Sequence, residues 1–153
     1  MDLTQLKNEI KTGPHAATLA PHVTAGNDLA IADFLNDKAG AGAGTIVLSS
    51  IPRQRILRVF LKVAIDLDTK ATAVKSKWDR ILPFVRDMED TPLTVINDVL
   101  TLAVTDGLLT AAKVDMIRQR AGSRCEVLWG ENKTVLSTDV ARALRNADGT
   151  LIP

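Results

Sequence analysis

The stretch that decides the fold is residues 107–142, which read GLLTAAKVDMIRQRAGSRCEVLWGENKTVLSTDVAR. Three times in succession, a hydroxyl side chain stands where a helix can begin, and glycines follow where helices can end. These signals are Thr110, Ser123 and Ser137 as N-caps, with Gly122 and Gly130 as stops. The spacing predicts three short helices packed one after another, over residues 111–120, 124–129 and 138–145.

The rest of the chain carries helix signals of the same kind. Pro52 and Pro92 stand at the first helical position, where proline is favoured, and each follows closely on a serine or threonine. The 153 residues are 46% hydrophobic but only 3% aromatic, with no tyrosine, so aliphatic side chains must fill the core. We predict an all-α fold, a single-domain bundle of about six to eight short helices over residues 1–153, with a loosely ordered tail at 146–153.

Two segments interrupt the predicted helices. Residues 39–44 read AGAGAG and predict a flexible Gly-rich loop over 37–48, with at most one short β segment near 45–48. A phosphate-binding loop would need a helix directly after the glycines and a lysine in place, whereas a β-prone stretch follows. Residues 14–26 hold two prolines and both histidines, and this composition predicts a second loop.

The chain shows no arrangement of residues typical of catalysis or metal binding. His15 and His22 lie in the predicted loop without further ligands at metal-binding spacing. Cys125 is the single cysteine, and its apolar neighbours predict a buried structural thiol. The acidic residues that lie closest together in the sequence are Asp87, Glu89 and Asp90. This acidic run is typical of a solvent-exposed connection between two helices. We therefore predict no enzyme activity, no cofactor and no metal site.

The helix predicted after Pro52 has a basic outer face, which is our first candidate interface. Its predicted inward side chains are Ile56, Phe60 and Val63, together with Leu57, Leu61 and Ala64. Its outward cations are Arg53, Arg55, Arg58 and Lys62. Such a face is most often simply solvated, but it also suits docking on an acidic protein surface or nucleic acid.

A second candidate interface is the β-prone run Thr45, Ile46, Val47 and Leu48. A lone strand inside a helical domain has no partner unless another chain supplies one. We therefore expect this segment to be completed by a strand from a neighbouring molecule.

An alternative interpretation treats residues 110–130 as a helix–turn–helix that binds DNA. Thr110, Ser123 and Arg124 would then offer hydroxyl and guanidinium groups to phosphates or bases. The second helix is only about two turns long and carries the apolar run Val127-Leu128-Trp129, whereas a recognition helix needs exposed polar side chains. We therefore favour an ordinary packed corner of two helices over a DNA reader.

Three groups of residues resemble a family of small, mostly helical proteins encoded by tailed bacteriophages. They are SRCEVLWG at 123–130, TDVAR at 138–142 and AGNDLAIADFLN at 25–36. The family typically shows Ser-Arg-Ala-Glu-Glu-Leu, then a glycine and an Asp-Val-Ala-Arg helix. This chain departs from it at Cys125, at Val127 and in the glycine-rich insertion at 39–44.

The resemblance implies a structural or accessory protein of the virion, because such proteins are often encoded among virion structural genes. The implied place is the tail or its attachment apparatus, with the head or neck as another position. The implied partners are other phage structural proteins, in multiple copies, and the implied location is the virion, or the host cytoplasm during assembly. The alternative becomes a phage-encoded regulator that uses residues 110–130.

Charge and hydropathy limit the remaining partners. The formal net charge of +1 gives no general attraction to nucleic acid. No apolar run approaches the roughly 20 residues that a membrane-spanning helix needs. We therefore expect neither nucleic acid binding nor a membrane span.

Overall fold

The computed structural model describes residues 1–87 and 90–152, with every side chain among them except that of Ile65. The described residues form nine α-helices, four short strands and one 3₁₀ turn. They pack into two compact units: the terminal unit, Met1–Ile46 with Ala121–Pro153, and the central unit, Val47–Arg120. A compact unit is defined by packing and a domain by independent folding, so the single domain over 1–153 stays a prediction.

The terminal unit is built from five helices around an aliphatic core. They are α1 (Leu3–Thr12), α2 (Ala16–Ala25), α3 (Asp28–Asn36), α8 (Arg124–Trp129) and α9 (Ser137–Leu144). Helix α9 packs against both α1 and α3. Two bidentate ion pairs tie distant segments together: Arg124 to Glu9 at 2.7 and 3.0 Å, and Arg145 to Asp28 at 2.9 and 3.3 Å.

The central unit contains four helices around a buried tryptophan. They are α4 (Arg53–Asp66), α5 (Thr72–Asp87), α6 (Leu93–Thr105) and α7 (Ala111–Arg118), with a 3₁₀ turn at Leu67–Thr69. Trp78 is fully buried and stacks on Phe60, with ring centroids 5.9 Å apart. Its indole N–H donates to Asp106 at 2.7 Å, which satisfies the one polar group of the side chain.

The four strands form two small sheets. Strand β1 (Gly44–Val47) pairs with β4 (Gln119–Gly122), and β2 (Ser50–Ile51) pairs antiparallel with β3 (Thr91–Pro92). In the second sheet, Ser50 lies opposite Pro92 and Ile51 opposite Thr91, so the two proline-marked helix starts pair with each other. The mostly helical class is thus confirmed, while the four strands exceed the single β segment expected of an all-α fold.

The predicted loop over residues 14–26 is wrong, because Ala16–Ala25 forms α2. Pro21 lies inside this helix, where it removes one backbone hydrogen bond. Leu19 is completely buried, and Gly26 ends the helix with a φ of +69°. Tertiary packing and a good C-cap here outweigh the cost of one proline.

The expectation that residues 45–48 lack a partner within the chain is also wrong. Strand β4 pairs with β1, and the Leu48 N–H donates to the Arg118 carbonyl at 2.8 Å. Helix α7 therefore ends at Arg118, two residues earlier than predicted. Gly122 does not take a left-handed conformation; it allows close packing, because a Cβ there would lie 2.7 Å from Ile46 Cγ2.

Several helix boundaries and faces differ from the prediction in smaller ways. Helix α4 begins at Arg53, whose N–H is capped by Asp90 at 2.9 Å, and Pro52 precedes the helix. Ser137 is the first residue of α9; the cap belongs to Leu136, whose N–H donates to Asp139 at 3.1 Å. The second predicted apolar row of α4 is not core: Leu57 is half-buried, whereas Leu61 and Ala64 are exposed.

The Gly-rich segment and the tail both make specific contacts. Gly42 is buried, and a Cβ there would lie 2.9 Å from Phe34 Cε1. In the tail, the Ile152 N–H donates to the Leu144 carbonyl at 2.7 Å, and Arg145 forms a bridge with Leu151. The flexibility of 37–48 and of 146–153 stays a prediction, and Pro153 lies outside the described residues.

Candidate functional site

Helix α4 organises the surface of the central unit. Ile56, Phe60 and Val63 are buried and fix one side of the helix against the core. On an α-helix, the positions flanking such a stripe stand about 90° to either side of it. Each flank of α4 lines a groove, one shared with α5 and one shared with α7.

The groove between α4 and α7, which we call the basic-rimmed groove, is the candidate site. It is a cavity of about 240 Å³. Its apolar lining is Val59, Val63, Leu108, Leu109 and Met116, and its polar lining is Arg58, Lys62 and Lys113. The floor is therefore entirely apolar, and every charged group of the lining is a cation.

The three rim cations are available to a ligand. The side chains of Arg58, Lys62 and Lys113 make no hydrogen bond or ion pair within the described part of the chain. Among the residues that the structure describes, no carboxylate lines the groove to neutralise them. Like charges this close repel one another, so an anionic partner would be attracted to the rim.

Met116 provides an exposed apolar edge to the same groove. Its side chain is 76% exposed, the largest exposed fraction among the large hydrophobic residues described. Methionine is flexible and polarisable, and it commonly serves at surfaces that receive apolar partners. The groove thus combines an apolar anchor point with a positive rim.

Of the four cations predicted at the first interface, the structure places two at the groove. Arg58 and Lys62 line it, whereas Arg55 is half-buried and donates to the Gln119 carbonyl at 2.7 Å. Arg53 is exposed and donates to the Arg86 carbonyl at 3.3 Å. Arg55 therefore ties the first turn of α4 to the end of α7 and is structural.

The second predicted interface divides between core and surface. Thr45 and Val47 are exposed, whereas Ile46 and Leu48 are buried. This alternation is that of a half-buried strand. The structure does not bring these residues to the basic-rimmed groove.

The helix–turn–helix prediction is wrong about its geometry. Residues 119–122 form strand β4, so no turn joins α7 directly to α8. Ser123 does cap α8, accepting from Glu126 N–H at 3.2 Å, but Arg124 is bound to Glu9. Helix α8 has six residues, and Cys125 and Glu126 within it are buried. The groups proposed for DNA contacts are therefore engaged within the fold, including Thr110, which caps α7 by accepting from the Lys113 N–H at 3.3 Å.

The other reactive residues lie apart from the groove. His15 packs edge-on against Phe34, and His22 lies in α2. Burial, followed by the nearby Glu126 and Asp139 charges, raises the pKa of the Cys125 thiol to about 11. Among the described residues, no three histidine, cysteine or carboxylate side chains are grouped to hold a metal ion. Glu89 of the predicted acidic run lies outside the described residues.

Half of the groove lining was not predicted from the sequence. Leu108, Leu109, Lys113 and Met116 line the groove, and none of them is a candidate site residue on the sequence alone. Met116 lies outside the buried stripe of Val114 and Ile117 on α7, and Lys113 lies at the edge of that stripe; this offset was the available signal. The packing of α7 beside α4 could not be predicted from the sequence.

None of the described helices is both long and apolar enough to cross a membrane. No protein-family model, curated protein or solved structure matches the chain.

Proposed function

We propose that this chain is a non-enzymatic protein-binding module of a tailed bacteriophage particle, acting in the tail or its attachment apparatus. The same binding role is compatible with a position in the head or neck of the particle. The observation that carries the binding function is the basic-rimmed groove, and the phage assignment rests on the residues that resemble the phage family. The partner is another structural protein of the particle, present in multiple copies.

The groove favours an acidic amphipathic helix as the docking segment. Such a helix lays apolar side chains, spaced at i, i+3, i+4 and i+7, into an apolar groove. Glutamates or aspartates beside those anchors would then meet Arg58, Lys62 and Lys113. Covering Met116 on docking contributes on the order of 1.5–3 kcal/mol, and each rim ion pair adds about 0.2–1 kcal/mol. Apolar contact therefore supplies most of the affinity. The rim cations make the groove selective for a negatively charged partner.

A matched pair of peptides tests the binding function. Both carry leucine at the four anchor positions of a 15-residue helix on the order of four turns long. One carries glutamate at the flanking positions, and the other carries lysine. We expect the acidic peptide to bind in fluorescence anisotropy and the basic peptide to bind at least about tenfold more weakly. Equal binding of the two peptides, or binding of neither, would overturn the proposed groove.

Charge reversal within the groove provides the matched control. Lys113→Glu replaces a rim attraction with a repulsion, so we expect about a two- to thirtyfold loss of affinity for the acidic peptide. Lys133→Glu makes the same change of net charge at an exposed site in the terminal unit, and it should leave the affinity unchanged. Equal losses in both variants would show that net charge, rather than the groove, attracts the peptide.

The place in the particle needs separate experiments. Mass spectrometry of purified virions of the encoding phage should detect the chain in several copies, and its absence would contradict the assignment. Electrophoretic mobility with random DNA at low salt tests the alternative regulator. We expect no shift at micromolar protein, because Ser123 and Arg124 are engaged within the fold.

A further inference from the structure

The second groove of the central unit lies between α4 and α5. It is a cavity of about 250 Å³. It is lined by Leu57, Phe60, Leu61 and Ala64 of α4 and by Asp79, Leu82, Pro83 and Arg86 of α5. We call it the α4–α5 groove, and the basic-rimmed groove flanks α4 on its other side.

Apolar side chains are exposed at this groove to an unusual degree. Leu61 on its α4 wall is 69% exposed, and Ala64 of the same wall and Pro83 of the α5 wall are exposed as well. Single exposed apolar residues are common on proteins, but neighbouring ones around an apolar cavity indicate a surface that another molecule covers.

The order of charged and apolar residues on the α5 wall indicates which molecule covers the groove. Asp79, Leu82, Pro83 and Arg86 stand at positions i, i+3, i+4 and i+7, which share one face of a helix. A carboxylate is at one end, a guanidinium is at the other, and two apolar residues lie between them. The two charges are about 10.5 Å apart along the helix axis, and their midpoint falls between Leu82 and Pro83.

We propose that the α4–α5 groove binds a second copy of this chain through a two-fold axis at Leu82 and Pro83. Two antiparallel copies of α5 then place Asp79 of each copy opposite Arg86 of the other. The same surface serves on both copies, which is the arrangement of a closed homodimer. Leu61 and Pro83 of each copy are available to cover the apolar centre. This inference stands on a different groove from the proposed function and does not depend on it.

Existing contacts of the two charged residues do not oppose this arrangement. Arg86 pairs with Asp87 at 3.3 Å, but both side chains are about 70% exposed, so the pair is a weak surface interaction. Asp79 stands one helical turn from Lys75, which is held by Asp68. Both charges can therefore turn to a partner at little cost.

A charge-swap series measured by sedimentation equilibrium tests the proposal. The wild-type chain should dimerise with a dissociation constant on the order of 10–100 μM. Asp79→Arg alone brings arginines against arginines, and Arg86→Asp alone brings aspartates against aspartates. Each single variant should raise the dimer dissociation constant at least about tenfold, because two attractions become two repulsions.

Mixing the two single variants distinguishes the proposed geometry from damage to the fold. In the mixed dimer, each arginine meets an aspartate, so an equimolar mixture should regain wild-type dimerisation. The double variant, Asp79→Arg with Arg86→Asp, should dimerise alone. Circular dichroism confirms that each variant is folded. A wild-type chain that stays monomeric, or single variants whose mixture does not associate, would overturn the proposal.

Discussion

Replacing Asp106 tests the packing that supports both grooves of the central unit. Its side chain is only 9% exposed and accepts from the Trp78 indole N–H at 2.7 Å and from Lys77 at 2.7 Å. Trp78 is fully buried, so Asp106→Ala would leave its N–H without a partner away from water. The variant isolates a buried hydrogen bond that joins α5 to the end of α6.

The magnitude follows from the two interactions that are lost. An unsatisfied buried N–H costs about 1–3 kcal/mol, and a half-exposed ion pair such as that with Lys77 adds about 0.2–1 kcal/mol. We therefore expect Asp106→Ala to lower the free energy of unfolding by about 1–4 kcal/mol. Asp106→Asn keeps an acceptor for the indole, so it should cost only about 0.2–1 kcal/mol.

Urea denaturation followed by far-ultraviolet circular dichroism measures both variants. The hydrogen bond from Lys77, and then that from Trp78, hold the pKa of Asp106 below its usual value. The native state therefore favours the ionised form, and its contribution is fully present above the unfolded pKa of about 3.9. It is lost as pH falls through the lower folded pKa, and Asp106→Asn should remove this acid sensitivity. Equal stability losses for the alanine and asparagine variants would refute the reasoning.

Three other changes probe the terminal unit. Glu9→Ala leaves the mostly buried Arg124 without its bidentate partner, so urea denaturation should show a loss of about 3 kcal/mol; a loss under about 1 kcal/mol would contradict the role of the pair. Gly122→Ala places a Cβ 2.7 Å from Ile46 Cγ2, so calorimetry should show a lower Tm, with a cost of about 1–3 kcal/mol. The native state keeps the Cys125 proton up to a pKa of about 11, so stability should fall as pH rises above the unfolded value near 8.5. Cys125→Ala should flatten that alkaline decline, and an unchanged slope would assign it to other groups.

Local signals in the sequence predicted two of the helix caps correctly. Ser123 caps α8 and Thr110 caps α7 as predicted, because each cap depends only on residues within one turn. Ile56, Phe60 and Val63 were also predicted as core, since helical spacing alone identifies a buried stripe.

Long-range pairing accounts for most of the errors. Strand β1 pairs with β4, about 75 residues further along the chain, and no local pattern encodes such a partner. That pairing ends α7 early and removes the turn on which the DNA-binding alternative depended. Leu61 is a different error. Its apolar character and helical spacing predicted a core residue, but nothing in the described structure covers it.

The candidate site was predictable only in part for the same reason. Arg58 and Lys62 were visible as an unbalanced basic face of one helix. Lys113 and Met116 complete the groove from another helix, and their meeting with α4 is a property of the tertiary fold.

The central claim is that the basic-rimmed groove is a protein-docking site. Its most direct test is NMR chemical-shift mapping, in which the acidic amphipathic peptide is added to the ¹⁵N-labelled chain. The account predicts chemical-shift changes concentrated in 58–63 of α4 and in 108–116, with those in α9 unchanged. Shifts centred on the terminal unit, or spread evenly over exposed cations of both units, would contradict it.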